Sequence, residues 1–246
     1  MKYVIGDIHC EYIKLKKLLK IIKNKDSEAE FYSVGDIVNR KYGLKRILFL
    51  INKYEIKVVR GNNEQQYLDN YYDLVIDMLE NKYLTVEYWL QEKVISVLLE
   101  YKLIKKDKDK FLFIKNMETL KDFHVLLQYL HNLPIEITLE DKNIQINGFN
   151  KVIITHSGIG NIYNKYKKDQ HNPKHHKIIM ENRDKKYTKH KFFNVFGHTP
   201  ITKNIVILNK KDTYINIDTG ACYSNHTNKN PLTAISLYNG ELYDEY

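Results

Sequence analysis

The stretch KYVIGDIHCEYIKLKKLLKII, running from Lys2 to Ile22, decides the fold. Lys2 to Ile5 is a short apolar run, Gly6-Asp7 breaks it, and from Glu11 onward Ile13, Leu15, Leu18, Leu19 and Ile22 fall at helical spacing. The reading is strand, loop, helix. It recurs twice: Phe31 to Val34, Gly35-Asp36 and a helix over Leu44 to Ile51, then Lys57 to Val59, Gly61-Asn62 and a helix beginning near Glu64. Asp7, Asp36 and Asn62 stand 29 and 26 residues apart, which suits βαβ units of roughly 30 residues and parallel strands. In open α/β sheets the binding crevice lies at the carboxyl ends of the strands, where all three residues fall.

Outward from this core, Tyr72 to Leu133 lacks Pro and Gly and places Leu, Trp89 and Val on one face, which predicts a helical insertion. Ile135, Ile137 and Leu139 alternate, a turn follows at Asp141-Lys142, and Ile144 and Ile146 alternate again, predicting a hairpin. Lys151 to Thr155 and Phe192 to Phe196 read as buried strands ending in His156-Ser157-Gly158 and Gly197-His198-Thr199-Pro200. Further strands are expected at Ile205 to Leu208, Tyr214 to Asp218 and Leu232 to Leu237, with Asn239-Gly240 as a hairpin turn. No repeat or linker marks a second unit, so residues 1–246 read as one domain with the insertion at about 72–133.

The 246 residues, 43% of them hydrophobic, suffice for a substantial core and exclude a peptide hormone or a disulfide scaffold. Cys10 and Cys222 cannot build a disulfide framework, and Asp7 interrupts the place where a secretory signal would need apolar residues. No window approaches the ~20 apolar residues of a membrane span, so a cytoplasmic, membrane-independent protein is expected. Lys+Arg 39 against Asp+Glu 30 leaves a net charge of +9, but the basic residues are dispersed and the tyrosines show no RNA-binding spacing, so nucleic acid is a minor hypothesis. Lys174-His175-His176-Lys177, with His171 and His190, reads as a solvated basic loop.

The chemistry lies in the strand ends taken together. Asp7, His9, Asp36, Asn62, His156 and His198 supply oxygen and imidazole donors suited to divalent Mn, Fe, Zn or Ni. Six donors suffice for two ions, and one shared carboxylate would hold them ~3.5 to 4 Å apart, an arrangement that clamps attacking and leaving oxygens in phosphoryl transfer.

These residues resemble the metallophosphoesterases, in particular the serine/threonine phosphoprotein phosphatase group with its phage, bacterial and diadenosine tetraphosphate hydrolase relatives. GDIHC is similar to the family's GDxHG, GDIVNR to GDxVDRG and RGNNE to RGNHE; THSG, FGHTP and NIDTGA follow in the family's order over nearly the whole chain. The resemblance implies an α/β fold of two mixed β-sheets packed face to face and flanked by helices. It implies that Asp7 and His9 bind one metal, that Asn62, His156 and His198 bind the other, and that Asp36 bridges them. Manganese is the expected ion, with Fe, Zn or Ni as alternatives. Arg40, Arg183 and Asn62 would contact substrate phosphate.

Four positions depart from the family pattern. Asn63 stands where the family histidine protonates the leaving oxygen, and Asn39 where an aspartate holds that histidine. General acid catalysis typically contributes about 10²- to 10⁴-fold, so reduced turnover of phosphomonoesters with poor leaving groups is expected. The two asparagines are also expected to contact each other as a neutral pair. Cys10 and Lys41 replace glycines, and a left-handed backbone at either would cost roughly 1 to 2 kcal/mol. The implied activity is metal-dependent hydrolysis of phosphomonoesters in phosphoproteins or small phosphoesters. A metal- and phosphate-binding pseudophosphatase, and a hydrolase of dinucleoside polyphosphates or nucleic-acid diesters, are the alternatives.

Overall fold

The computed structural model describes residues 1–38, 41–90, 92–160, 162–169, 172–183, 190–201, 205–223 and 230–245. The three N-terminal units form as their periodicity predicts: β1 (Lys2–Ile5), α1 (Tyr12–Lys25), β2 (Glu30–Ser33), α2 (Leu44–Lys53), β3 (Lys57–Val58) and α3 (Asn62–Asp69). On α1 the buried stripe is Leu15, Leu18, Leu19 and Ile22, an i, i+3, i+4, i+7 set, while Ile13 faces solvent.

α4 (Tyr71–Glu80), α5 (Glu92–Glu100) and α6 (Met117–Asn132) supply the expected helices, but a hairpin of β4 (Ile104–Asp107) and β5 (Lys110–Phe113) interrupts them. The turn is made by Lys108 and Asp109 without a glycine, Lys108 itself taking φ 56°, which is why the sequence carries no breaker there. A second correction concerns β6 (Glu136–Glu140). It pairs antiparallel with β7 (Lys151–Thr155), not with Ile144 and Ile146, which turn inward between the sheets instead. Asn147 and Gly148, both at positive φ, return the chain to β7. Ile205 to Leu208 is not a strand.

The region expected to be a basic loop contains α7 (Tyr163–Lys168) and α8 (Pro173–Glu181). Asn172 caps α8 by accepting from Lys174 N at 3.0 Å, and Pro173 occupies its first turn. His175, His176 and both flanking lysines therefore sit on a defined helix. His171 lies outside the described residues.

β8 (Phe193–Phe196), β9 (Tyr214–Asn216), β10 (Thr233–Ser236) and β11 (Leu242–Asp244) complete the fold. One sheet has the order β11-β10-β1-β2-β3, with β1, β2 and β3 parallel; the other has the order β6-β7-β8-β9, with β7, β8 and β9 parallel. Alternation divides each strand between layers. Val4, Tyr32 and Ile235 of the first sheet meet Val152, Ile154, Phe193, Val195 and Ile215 of the second, while Tyr3, Ile5 and Phe31 face α1 and α2. Ile153 faces outward onto Tyr166 of α7 and Ile179 of α8. Burying each large apolar side chain contributes about 1.5 to 3 kcal/mol, so this seam holds the two sheets and their carboxyl ends in register. Among the described residues no helix is long and apolar enough to cross a membrane.

Candidate metal centre

Each parallel strand delivers one polar residue just past its carboxyl end: Asp7 after β1, Asp36 after β2, Asn62 at the start of α3 beyond β3, His156 after β7, His198 after β8 and Asp218 after β9. All but Asn62 are buried. Asp7, Asp36 and His156 offer donor atoms within 4.8 Å of one another. Asp36 faces both sides of the cluster: Oδ1 lies 3.3 Å from His156 Nε2, and Oδ2 lies 3.7 Å from His9 Nε2. His9 Nε2 is 3.9 Å from Asp7 Oδ2. Asn62 Oδ1 is 2.9 Å from both His156 Nε2 and His198 Nδ1. The six residues implied by the motifs thus form one cluster, with Asp36 between its halves.

The backbone reaches these positions at a cost. His9, Asp36 and His198 have φ of 44°, 48° and 74°, a region that costs an L-residue roughly 1 to 2 kcal/mol. Cys10 shares it at φ 59°, so this replacement of the family glycine carries the expected strain, while Lys41 pairs with Glu11. Two glycines permit the close packing. A β-carbon on Gly197 would collide with Asp7 Oδ1, and one on Gly61 with Asp36 Oδ1.

The donors fit cations. His156 Nδ1 donates to Val34 O at 2.9 Å, which leaves Nε2 as the bare lone pair of a neutral ring. Burial depresses His156 to about 4 and, with the neighbouring His156 ring, His198 to about 3, so both are neutral near pH 7. His156 Nε2, His198 Nδ1 and Asn62 Oδ1 then converge with at most one hydrogen, on His198 Nδ1, to share, and Asp36 Oδ1, which accepts from Asn63 N, lies 3.3 Å from His156 Nε2. Among the described residues His198 Nε2, buried at this set of acceptors, has no hydrogen-bond partner. Asp7 is raised well above the usual carboxylate range by burial and by the charges of Asp218 and Asp36. A divalent cation held by Asp7, Asp36 and His156 would answer both deficits.

Two residues at the cluster are not singled out by the motifs. Glu64, fully buried, accepts from Asp36 N and Gly61 N at 2.9 and 2.8 Å and from Val38 N at 3.0 Å, fixing the loop that carries Asp36. Burial and the Asp36 charge raise it to about 8. Its position three residues beyond Gly61, at the start of a helix, is the capping-box signal that reveals it. Asp218, raised to about 6 by burial, sits beside Asp7 and accepts from Gly220 N at 2.8 Å. The run Tyr214-Ile-Asn-Ile-Asp repeats the strand-then-carboxylate pattern of β1 and was the available signal.

Asn63 donates from its backbone N to Asp36 Oδ1 at 3.0 Å and from Nδ2 to Asp36 Oδ2 at 2.7 Å. Arg183 is exposed, with Nη1 donating to Thr199 Oγ1 at 3.1 Å, and its charge depresses His156, His198 and Asp218. It therefore stands at the rim of the cluster. Asn39 and Arg40, and with them the expected Asn39–Asn63 contact, lie outside the described residues.

Comparison with known proteins agrees with this geometry. Among curated proteins no sequence matches the chain. A crystal structure of a candidate diadenosine tetraphosphatase is similar in fold, with TM-score 0.60 and 18% identity over 99% of this chain and 91% of that one. A cold-active protein tyrosine phosphatase from a psychrophilic Shewanella species matches with TM-score 0.50 and 15% identity over 100% of this chain and 80% of that one. The family model for calcineurin-like phosphoesterases matches residues 3–216, the span that contains all six strand-end residues except Asp218. The chain belongs to the calcineurin-like phosphoesterase family, a superfamily of metal-binding hydrolases.

Proposed function

We propose that the chain is a manganese-dependent phosphatase that hydrolyses phosphomonoesters and phosphoanhydrides whose leaving groups depart without protonation. Asp7, His9 and Asp36 would hold one ion, and Asp36, Asn62, His156 and His198 the other. When bound, such ions polarise phosphoryl oxygens and lower the pKa of an attacking water. Arg183 at the rim, with Arg40 as its expected counterpart, binds the phosphoryl oxygens and orients phosphorus over the cluster. Glu64 keeps the Asp36 loop in place through three backbone N–H groups.

The observation that carries the substrate preference is the side chain of Asn63. It occupies the position of the family acid, cannot deliver a proton, and directs its amide to Asp36 at 2.7 Å. Phosphoserine, which leaves as an alkoxide, loses about 10²- to 10⁴-fold without an acid, whereas p-nitrophenolate and phosphate leave readily as anions. The test compares Mn²⁺-dependent kcat/KM on p-nitrophenyl phosphate and on a phosphoserine peptide for the natural chain and for Asn39→Asp/Asn63→His. A gain confined largely to the peptide is expected. Absence of turnover in both proteins while both bind Mn²⁺ would overturn the reading in favour of a binding module.

A further inference from the structure

We infer that a cleft beside the metal centre, between α3, α6 and α8, is the subsite for the leaving group and that it takes a nucleoside polyphosphate. The inference rests on the phosphatase reading above. A cavity of about 530 Å³ opens directly from the cluster, because Asn62, whose Oδ1 faces His156 and His198, also lines its wall. Lys174, His176 and Lys177 project into it from α8, opposite Gln65 and Gln66 of α3. Two acids, Asp69 and Glu181, also line it, and Asp69 accepts from Gln65 Nε2 at 2.8 Å. Arg60 builds the floor, its guanidinium donating to Gln65 Oε1 and to the backbone carbonyls of His131 and Leu133 at the end of α6.

The wall is fastened to the catalytic end of the fold. Ser157, next to His156, donates to Ile179 O of α8 and accepts from Asn182 N at 2.9 Å, and Asn182 Nδ2 donates to Gly158 O. The lysines of α8 are therefore held at a set distance from the cluster.

A second cavity, of about 630 Å³, shares Leu68 and His131 with the first and is lined by Tyr71, Tyr72 and His124. Tyr71 contacts the rings of Tyr72 and His124 at 5.7 and 6.1 Å, and Tyr72 is 75% exposed. Both volumes suit a small-molecule site. The order along the groove is metal cluster, cations, aromatic rings. A molecule with a terminal phosphoryl group, further phosphates and a flat base has the same order. Its leaving group is a phosphate, the kind Asn63 tolerates. In hydrolysis the oxygen of water bonds to the terminal phosphorus, the bridging P–O bond breaks, its electron pair stays on the departing nucleoside phosphate, and the proton of water passes to solvent.

The experiment uses the Mn²⁺-loaded chain and reads the ratio of kcat/KM for a nucleoside triphosphate to that for p-nitrophenyl phosphate, so that damage to the shared hydrolytic site cancels. Lys174→Glu/Lys177→Glu and Tyr72→Ala should each lower the ratio about tenfold, while Lys105→Glu/Lys106→Glu, on the β4–β5 hairpin that lines neither cavity, should not. Equilibrium dialysis with a β,γ-methylene nucleoside triphosphate and with inorganic tripolyphosphate separates the two parts: the lysine variant should weaken both ligands, Tyr72→Ala only the nucleoside. Unchanged ratios in the cleft variants, an equal fall in the hairpin variant, or tighter binding of a single-stranded oligonucleotide than of the nucleotide would overturn the inference. No turnover of p-nitrophenyl phosphate by any variant would instead sink the phosphatase reading, and dialysis would still decide the cleft.

Discussion

The strand-end loops and the α8 wall border the same cleft but are built under opposite constraints. In the loops every donor but Asn62 is buried, three of them take left-handed backbone, and two glycines are packed against carboxylate oxygens. On α8 the residues lining the cleft are exposed Lys174, Lys177 and Glu181, half-buried His176 and buried Met180, on an ordinary capped helix. The first region tolerates almost no change of atom, whereas the second tolerates change of side chain at little cost to the fold. On the proposed reading, the difference would separate the chemistry, set by close backbone approach, from the choice of substrate, set by replaceable side chains on an attached helix.

The largest expected effect tests the tight side of this contrast. Gly197→Ala should displace Asp7 and lower kcat/KM by about 10²-fold or more, with matching loss of Mn²⁺ binding by calorimetry. A variant with natural activity would break the contrast. Next is the response of the ion-free chain to pH. Burial raises Asp218 to about 6 and Glu64 to about 8, and raises Asp7, so the folded chain retains protons that the unfolded chain has lost above about pH 4.5. Raised carboxylates therefore lower stability as pH increases. His156 and His198, depressed to about 4 and 3, act in the opposite direction, but only below about pH 6.5, where the unfolded chain takes up protons. Between pH 6.5 and 8 the carboxylates act alone: Asp218 has largely lost its proton, Glu64 still holds one, and denaturant unfolding of the EDTA-treated chain should show stability falling by up to about 1.4 kcal/mol per pH unit from Glu64, with Asp7 acting in the same direction. Saturating Mn²⁺ should flatten that slope; an unchanged slope would mean that the carboxylates do not hold the ion. The smallest effect is at Cys10. Cys10→Gly relieves the left-handed strain but gives up a buried side chain and adds freedom to the unfolded chain, so stability should move by less than about 1 kcal/mol, while Cys10→Val should cost about 2 kcal/mol.

The sequence makes the strand ends legible because each combines a period-two apolar run with a breaker and a chemically distinctive residue, as in Val4-Ile5-Gly6-Asp7 and Val195-Phe196-Gly197-His198. Tertiary pairing was harder to read. Ile144 and Ile146 alternate as a strand would, yet they fill the seam between the sheets, since alternation records burial and not the hydrogen-bonded partner. The β4–β5 hairpin is hidden because Lys108 makes its turn with a left-handed residue that has no glycine signature. α8 was legible in Asn172-Pro173, a cap followed by a first-turn proline, but its lysine-rich composition masked that signal. Glu64 and Asp218 leave only weak signals, a glutamate three residues after a helix-capping glycine and a carboxylate closing a strand, patterns that many residues without such contacts share.

The seam between the sheets has a consequence for how the molecule loses function. Asp7, His9, Asp36 and Asn62 belong to one sheet and His156, His198 and Asp218 to the other, so the complete cluster exists only while the two sheets stay packed. The catalytic centre is a gauge of closure: any sliding or parting of the two layers disperses the donors while every strand within each layer keeps its pairing. Loosening of the seam should therefore abolish activity at lower denaturant than it melts either sheet.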